Sequence, residues 1–234
     1  MPSMSDQWES GHWVAASRDN ALVIIGVSSR LTRREDEIAA AKNDAASKVA
    51  MFHGMRGSVE SFHRAGAGFF DHIFDSRISL EHTVDYAQFI EVLQFDPDRD
   101  VLVHDGGTLV RFRYAVRVVP MNLVSTMDAN GRPNWLGNHS LPEVEGYTVA
   151  VGVSRNQRWL RDTVMRSAQA AAGRIIQDMS TRMQTAQVET AGHGTVGYIN
   201  TRSKGFLDNF RVLEFWINPE NGYVYTLGIA RFID

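Results

Sequence analysis

The run Ala21-Leu22-Val23-Ile24-Ile25-Gly26-Val27-Ser28 returns 126 positions later as Tyr147-Thr148-Val149-Ala150-Val151-Gly152-Val153-Ser154, with Gly26 falling on Gly152. An internal repeat constrains a fold more than any single motif, because both copies must form the same unit. The correspondence continues without a gap: Ile38 falls on Val164, Ala45-Ala46 on Ala171-Ala172, and Val49-Ala50 on Ile175-Ile176.

Both stretches after the repeated glycine have helical spacing. Ile38, Ala41, Ala45, Val49 and Phe52 recur every three or four residues, as do Val164, Ala168, Ala171, Ile175 and Met179, so each stripe is one buried helix face. Small alanines at mid-helix let the axis lie close to its partner, and a sheet is the natural partner. Each copy supplies strands: Phe89 to Phe95 and Val101 to Val119 in the first, Phe210 to Ile217 and Tyr223 to Phe232 in the second. Asn218-Pro219-Glu220-Asn221-Gly222 separates the last two as a tight turn, and Asp96-Pro97-Asp98 is expected in the matching place of the first copy. On the last strand Tyr223, Tyr225, Leu227 and Ile229 share one face, while Val224, Thr226, Gly228 and Ala230 share the other, smaller one.

The expected fold is therefore α+β: two tandem strand-helix-hairpin modules, mainly antiparallel sheet with helices packed on it. The first module spans 1–126 and carries an insertion at 64–87, and the second spans 143–234. Residues 127–142, with Asn130-Gly131, Pro133, Gly137 and Pro142, hold the densest turn chemistry and are read as the linker. The modules are short enough to gain by packing together in one sheet.

Composition narrows the function. A formal charge of −3 gives no electrostatic footprint for nucleic acid. The absence of cysteine excludes disulfides, thiolate zinc sites and thiol catalysis. No run of eighteen apolar residues occurs, so no helix is expected to span a bilayer. A lipoprotein lacking its signal peptide and lipid-bearing cysteine has the same appearance, and Met1-Pro2-Ser3-Met4 is compatible with an expression remnant.

An apolar strand ending in Gly-Val-Ser, an Ala-rich helix, and strands closing on Tyr-Val-Tyr-Thr-Leu together resemble the bacterial envelope lipoprotein domain typified by a small Helicobacter surface lipoprotein. The N-terminal domain of the flagellar assembly protein T shares that pattern. Gly152, Val153, Ser154, Ala168, Ala171, Ala172, Val212 and Tyr223 to Leu227 carry the resemblance over roughly ninety residues of the second copy. The first copy departs from it by inserting Arg64 to Ala87. The Arg, His, Gly and Val-rich style and the duplicated form also resemble a spirochaetal outer-membrane lipoprotein of the periplasmic leaflet. The resemblance implies a location, with signal peptide, lipid anchor and periplasm or outer membrane, and it brings no catalytic motif.

The eight histidines, His12, His53, His63, His72, His82, His104, His139 and His193, lack metal-ligand spacing and read as scattered surface residues. Ser28 and Ser154 end strands before helices, but neither sits in the Gly-x-Ser-x-Gly pattern of a nucleophile elbow, and both read as residues at the start of a helix. The stretch Gly192-His193-Gly194-Thr195-Val196-Gly197 follows a helix and lacks a phosphate-loop lysine, so a flexible connection or mobile flap is expected. No catalytic residue, metal or cofactor is predicted.

One segment spends hydrophobicity beyond the needs of the module. As a helix, Ala65 to Asp75 would set Phe69, Phe70, Ile73 and Phe74 on one side and Asp71, His72 and Asp75 on the other, with Ile78 continuing the stripe. That is the layout of a helix lying in a membrane interface, although aromatics closing one end of a core would look the same. The second helix is similarly ambiguous. Trp159, Leu160, Met165, Ile176, Met179 and Met183 widen its apolar side, while Arg155, Arg158, Arg161, Arg166, Arg174 and Arg182 form a phosphate-compatible or simply solvated face. The expected protein is a lipid-anchored one at the periplasmic face of the outer membrane, contacting membrane phospholipid, glycolipid or another hydrophobic ligand through Phe69, Phe70, Ile73, Phe74 and Ile78. The competing reading is an envelope structural or assembly module that binds another envelope protein and has no lipid role.

Overall fold

The strand-glycine-helix unit comes first because its packing sets everything else. The computed structural model describes residues 3–15, 20–66, 69–70, 75–104, 106–118, 125–136, 141–155, 158–184 and 197–233. In chain order these form α1 (Met4–Ser10), β1 (His12–Val14), β2 (Ala21–Ser29), α2 (Arg34–His53), β3 (Met55–Gly66), β4 (Phe69–Phe70), β5 (Asp75–His82), β6 (Val101–His104), β7 (Gly107–Ala115), β8 (Thr148–Ser154), α3 (Leu160–Gln184), β9 (Gly197–Ile217) and β10 (Val224–Ile233). The content is α+β, with mostly antiparallel sheets and helices packed against them.

The two halves repeat one topology. In the first, β2 leads into α2 and the later hairpin β6-β7 returns to give the order β2-β7-β6; in the second, β8 leads into α3 and β9-β10 return in the order β8-β10-β9. Gly26 and Gly152 explain the shared strand-helix spacing. A Cβ built on Gly26 would stand 2.2 Å from the carbonyl oxygen of Ala41, and one on Gly152 would stand 2.1 Å from that of Ser167. Ser167 lies 126 positions after Ala41. Only a residue without a side chain lets each helix settle so close. The alanine stripes do the rest: Ala41, Ala45, Val49, Ala168, Ala171 and Ile175 are fully buried.

The sheets do not respect the halves. The three-stranded sheet β2-β7-β6 belongs to the first, but the seven-stranded one joins β1, β3, β4 and β5 to β8, β9 and β10. β9 is the axis of that sheet. Its N-terminal part pairs with β3 from Gly197↔Ala65 to Leu207↔Met55, and its C-terminal part pairs with β1 at Glu214 to Trp216. β10 pairs with β9 only from Phe206 onward, so β9, β3 and β4-β5 run past the end of β10 as a three-stranded arm.

Several expectations are corrected. The described residues of the helix expected at Ala65 to Asp75 are strand instead: Gly66 pairs with Phe69 and Ala65 with Phe70, and Phe62 pairs with Asp75 at the start of β5. Gly66 and Gly68 each weaken a helix by about 1 kcal/mol, phenylalanine favours strands, and β9 offers a ready ladder to β3. The strand expected at Phe89 to Phe95 is largely a 3₁₀ turn, Tyr86–Val92, started by Asp85 accepting from the Ala87 N–H. The first-half hairpin turns between His104 and Gly107, not at Asp96-Pro97-Asp98, which lies before β6. Met4 is 3% exposed, and Ser3 caps α1 in a reciprocal capping box with Asp6, so these residues are part of the fold.

The linker is a packed strap. Met127, Trp135, Leu136, Leu141, Val144 and Tyr147 cover the bulky face of the second-half strands, against Leu213, Trp216, Tyr225, Leu227 and Ile229. The small face, Thr226, Gly228 and Ala230, turns to α3, where a Cβ on Gly228 would stand 2.9 Å from that of Ala171. Between the halves, Trp13, Ile25, Val27 and Leu109 meet Phe215 and Val164.

Candidate functional site

The segment singled out for lipid contact ends the three-stranded arm. Phe69 and Phe70 form β4, paired with Gly66 and Ala65 at the end of β3. Ile73 and Phe74 lie outside the described residues. Ile78 is on β5 opposite Val59, 36% exposed, and its side chain rests on α3: a Cβ on Gly173 would stand 2.7 Å from Ile78 Cδ1. The base of the arm is thus held by α3, with Gly57 passing close to Ile176 and Leu80.

Ile78 also lines a groove of about 260 Å³, together with Val59, Val153, Ala170, Gly173, Arg174 and Gln177. The two outermost strands of the large sheet, β5 and β8, therefore both reach the outer side of α3, and the sheet curls around that helix.

Four buried polar clusters escaped the sequence reading. The first sits at the start of α2, where Glu37 is 1% exposed. Burial pushes its carboxyl upward, but the Thr108 hydroxyl, the Leu31 N–H (3.0 Å) and the guanidinium groups of Arg34 (2.5 Å) and Arg30 (3.6 Å) more than offset this, and its pKa lies below the usual value. The second cluster joins three distant segments: Glu214 accepts from Trp135 Nε1 at 2.7 Å and lies 2.8 Å from His12 Nε2. A bulge near Leu227 turns both Leu213 and Glu214 toward the strap.

The third cluster is Asp100, 1% exposed, which holds the Asp96 N–H at 3.0 Å and lies 3.7 Å from both Arg111 and Arg113. Burial lowers the Arg111 pKa, and Asp100 opposes that shift. The fourth is on α2: Asp44 accepts from the Val27 N–H at 2.9 Å and from Lys48 at 2.7 Å, while Lys48 also donates to the Ile25 carbonyl at 2.7 Å. β2 is an edge strand, and this pair satisfies the outward backbone groups that an edge leaves open. Arg161 of α3 approaches the same carboxylate at 3.7 Å. A charged i, i+4 pair within an alanine stripe was the available signal for this cluster; for Glu214, spread over three segments, the sequence offered none.

The histidines are partly structural. His53 stacks on Phe89 at 5.0 Å and shares a 2.8 Å hydrogen bond with Tyr114, and burial lowers its pKa. His104 packs on Trp8 at 3.8 Å. Among the described residues no group of three or more histidines and carboxylates is placed to hold a metal ion, and no described helix is long and apolar enough to cross a membrane. Ser28 is fully buried and exchanges hydrogen bonds with the Thr108 backbone. Glu214, His193 and Arg202 form no described cleft, since His193 and the Arg202 side chain lie outside the described residues.

Comparison with known proteins finds no family model, no curated protein and no solved structure that matches this chain.

Proposed function

We propose that the protein works at the bacterial envelope, lipid-anchored in its native form at the periplasmic face of the outer membrane, and contacts membrane lipid through the end of its three-stranded arm. The observation that carries this reading is the position of Phe69 and Phe70, which pair with the end of β3 in an arm that runs past β10. The end of such an arm can enter the lipid interface without unfolding the body. Each large apolar side chain withdrawn from water contributes about 1.5–3 kcal/mol, so Phe69, Phe70, Ile73 and Phe74 together reach roughly 6–12 kcal/mol before ordering costs. This suits reversible attachment. Flotation with phosphatidylethanolamine/phosphatidylglycerol vesicles tests it: the parent floats and Phe70→Asp stays at the bottom of the gradient, whereas equal flotation of both defeats the reading.

The second reading, an envelope assembly module that binds another protein, is favoured by the terminal position of β8 in its sheet. An outer strand edge offers backbone groups to an added strand.

A further inference from the structure

The duplication provides its own comparison for the groove beside α3. In the first half the outer edge of β2 is closed by the Asp44 carboxylate, held by the Val27 N–H at 2.9 Å and the Lys48 ammonium at 2.7 Å. The same positions 126 residues later are Ala170 for Asp44, Arg174 for Lys48 and Val153 for Val27. All three line the groove of about 260 Å³. The second half thus keeps the cation and the strand edge but lacks the carboxylate, and a cavity stands in its place.

The backbone donor is aimed the same way in both halves. The Tyr223 carbonyl accepts from the Asn218 N–H, so that residue turns toward β9. Alternation along an antiparallel strand then turns Val224 and Thr226 toward β8 and leaves Tyr225↔Val153 as a non-bonded pair. The Val153 N–H consequently points away from β10 to the outer edge, and among the described residues no acceptor meets it. Val153 is 38% exposed, and Arg174 is exposed as well.

We infer that this groove binds a small aliphatic carboxylate. The carboxylate takes the place that Asp44 fills in the first half, accepting from the Val153 N–H and pairing with Arg174, whose planar fork suits two oxygens. Val59, Ala170 and Ile78, whose side chain covers the backbone at Gly173, receive the apolar chain. The volume admits a head group and a short chain, not a folded partner. The site is separate from the end of the arm and does not rest on the lipid-contact reading.

Calorimetry with sodium octanoate on the full chain tests the inference, with 1-octanol as the probe lacking the carboxylate. Octanoate binds the parent, and octanol binds at least about tenfold more weakly, as loss of a charge-assisted contact requires. Ala170→Asp rebuilds the first-half arrangement and abolishes octanoate binding. Arg174→Met, an exposed change that leaves the fold intact, weakens it by about tenfold or more. Phe70→Asp leaves octanoate binding unchanged, which separates this site from the arm. Octanol binding as well as octanoate, unaltered binding by Ala170→Asp or Arg174→Met, or no octanoate binding by the parent would each overturn the proposal.

Discussion

Gly26 and Gly152 are the residues on which the repeat turns, and they act by what they lack. A methyl at Gly152 would meet two backbone atoms of α3, the Ser167 oxygen at 2.1 Å and the Ala171 nitrogen at 2.2 Å, and a backbone cannot yield as a side-chain end can. Gly152→Ala should therefore cost about 3 kcal/mol, the upper end of the overpacking range, in urea unfolding. Gly131, at φ +71° with open space around it, should cost only about 1 kcal/mol on the same change, through backbone strain alone. Glu37 makes a pH-dependent contribution. Its folded pKa is lowered, so the stabilisation is complete above the unfolded value of about 4.3 and is lost as pH falls through the folded value. Glu37→Gln should flatten the acid limb of the stability profile between about pH 5 and pH 2, read from urea midpoints at each pH.

At the scale of elements, α2 closes the edge of β2 with charges where a fourth strand would have used its backbone. Asp44 and Lys48 are 1% and 9% exposed, so removing Asp44 leaves the Lys48 ammonium buried without its carboxylate. Asp44→Ala should cost roughly 3–5 kcal/mol, and Asp44→Ala with Lys48→Met should cost less than the sum of the single changes in a double-mutant cycle. The helix stripes were legible because Ile38 to Phe52 and Val164 to Met179 follow the helical period unbroken. The described residues of Ala65 to Asp75 depart from the expected helix because a stretch of aromatics with scattered polar residues fits either period. What decided their state was the long partner strand β9, over a hundred residues away in sequence. The chain at 127–142 has the turn chemistry of a linker, yet Trp135 makes it a strap that spans the bulky face of the sheet.

For the molecule as a whole, the seven-stranded sheet draws β1, β3, β4 and β5 from one half and β8, β9 and β10 from the other. Separating the halves would strip β9 of its β3 ladder and expose Met51, Met55 and Val59, which pack with Ala171, Ile175 and Leu207. The full chain should unfold in a single transition, and fragments 1–126 and 127–234 expressed apart should show no cooperative unfolding by circular dichroism. The strap is fastened to this shared sheet at Glu214. Trp135→Phe keeps an aromatic ring, though a smaller one, but removes the donor to a buried carboxylate, and the lost donor alone should cost about 1–3 kcal/mol.

By itself the sequence determined the repeated strand, glycine and helix, since local period and the absence of a side chain are properties of the chain. Only the tertiary structure decided that the described part of the aromatic segment is strand, that the halves share a sheet, and that Glu214 meets His12 and Trp135. Those outcomes depend on which distant backbone supplies hydrogen bonds and which side chains share a buried space, and neither is written in the spacing of neighbouring residues.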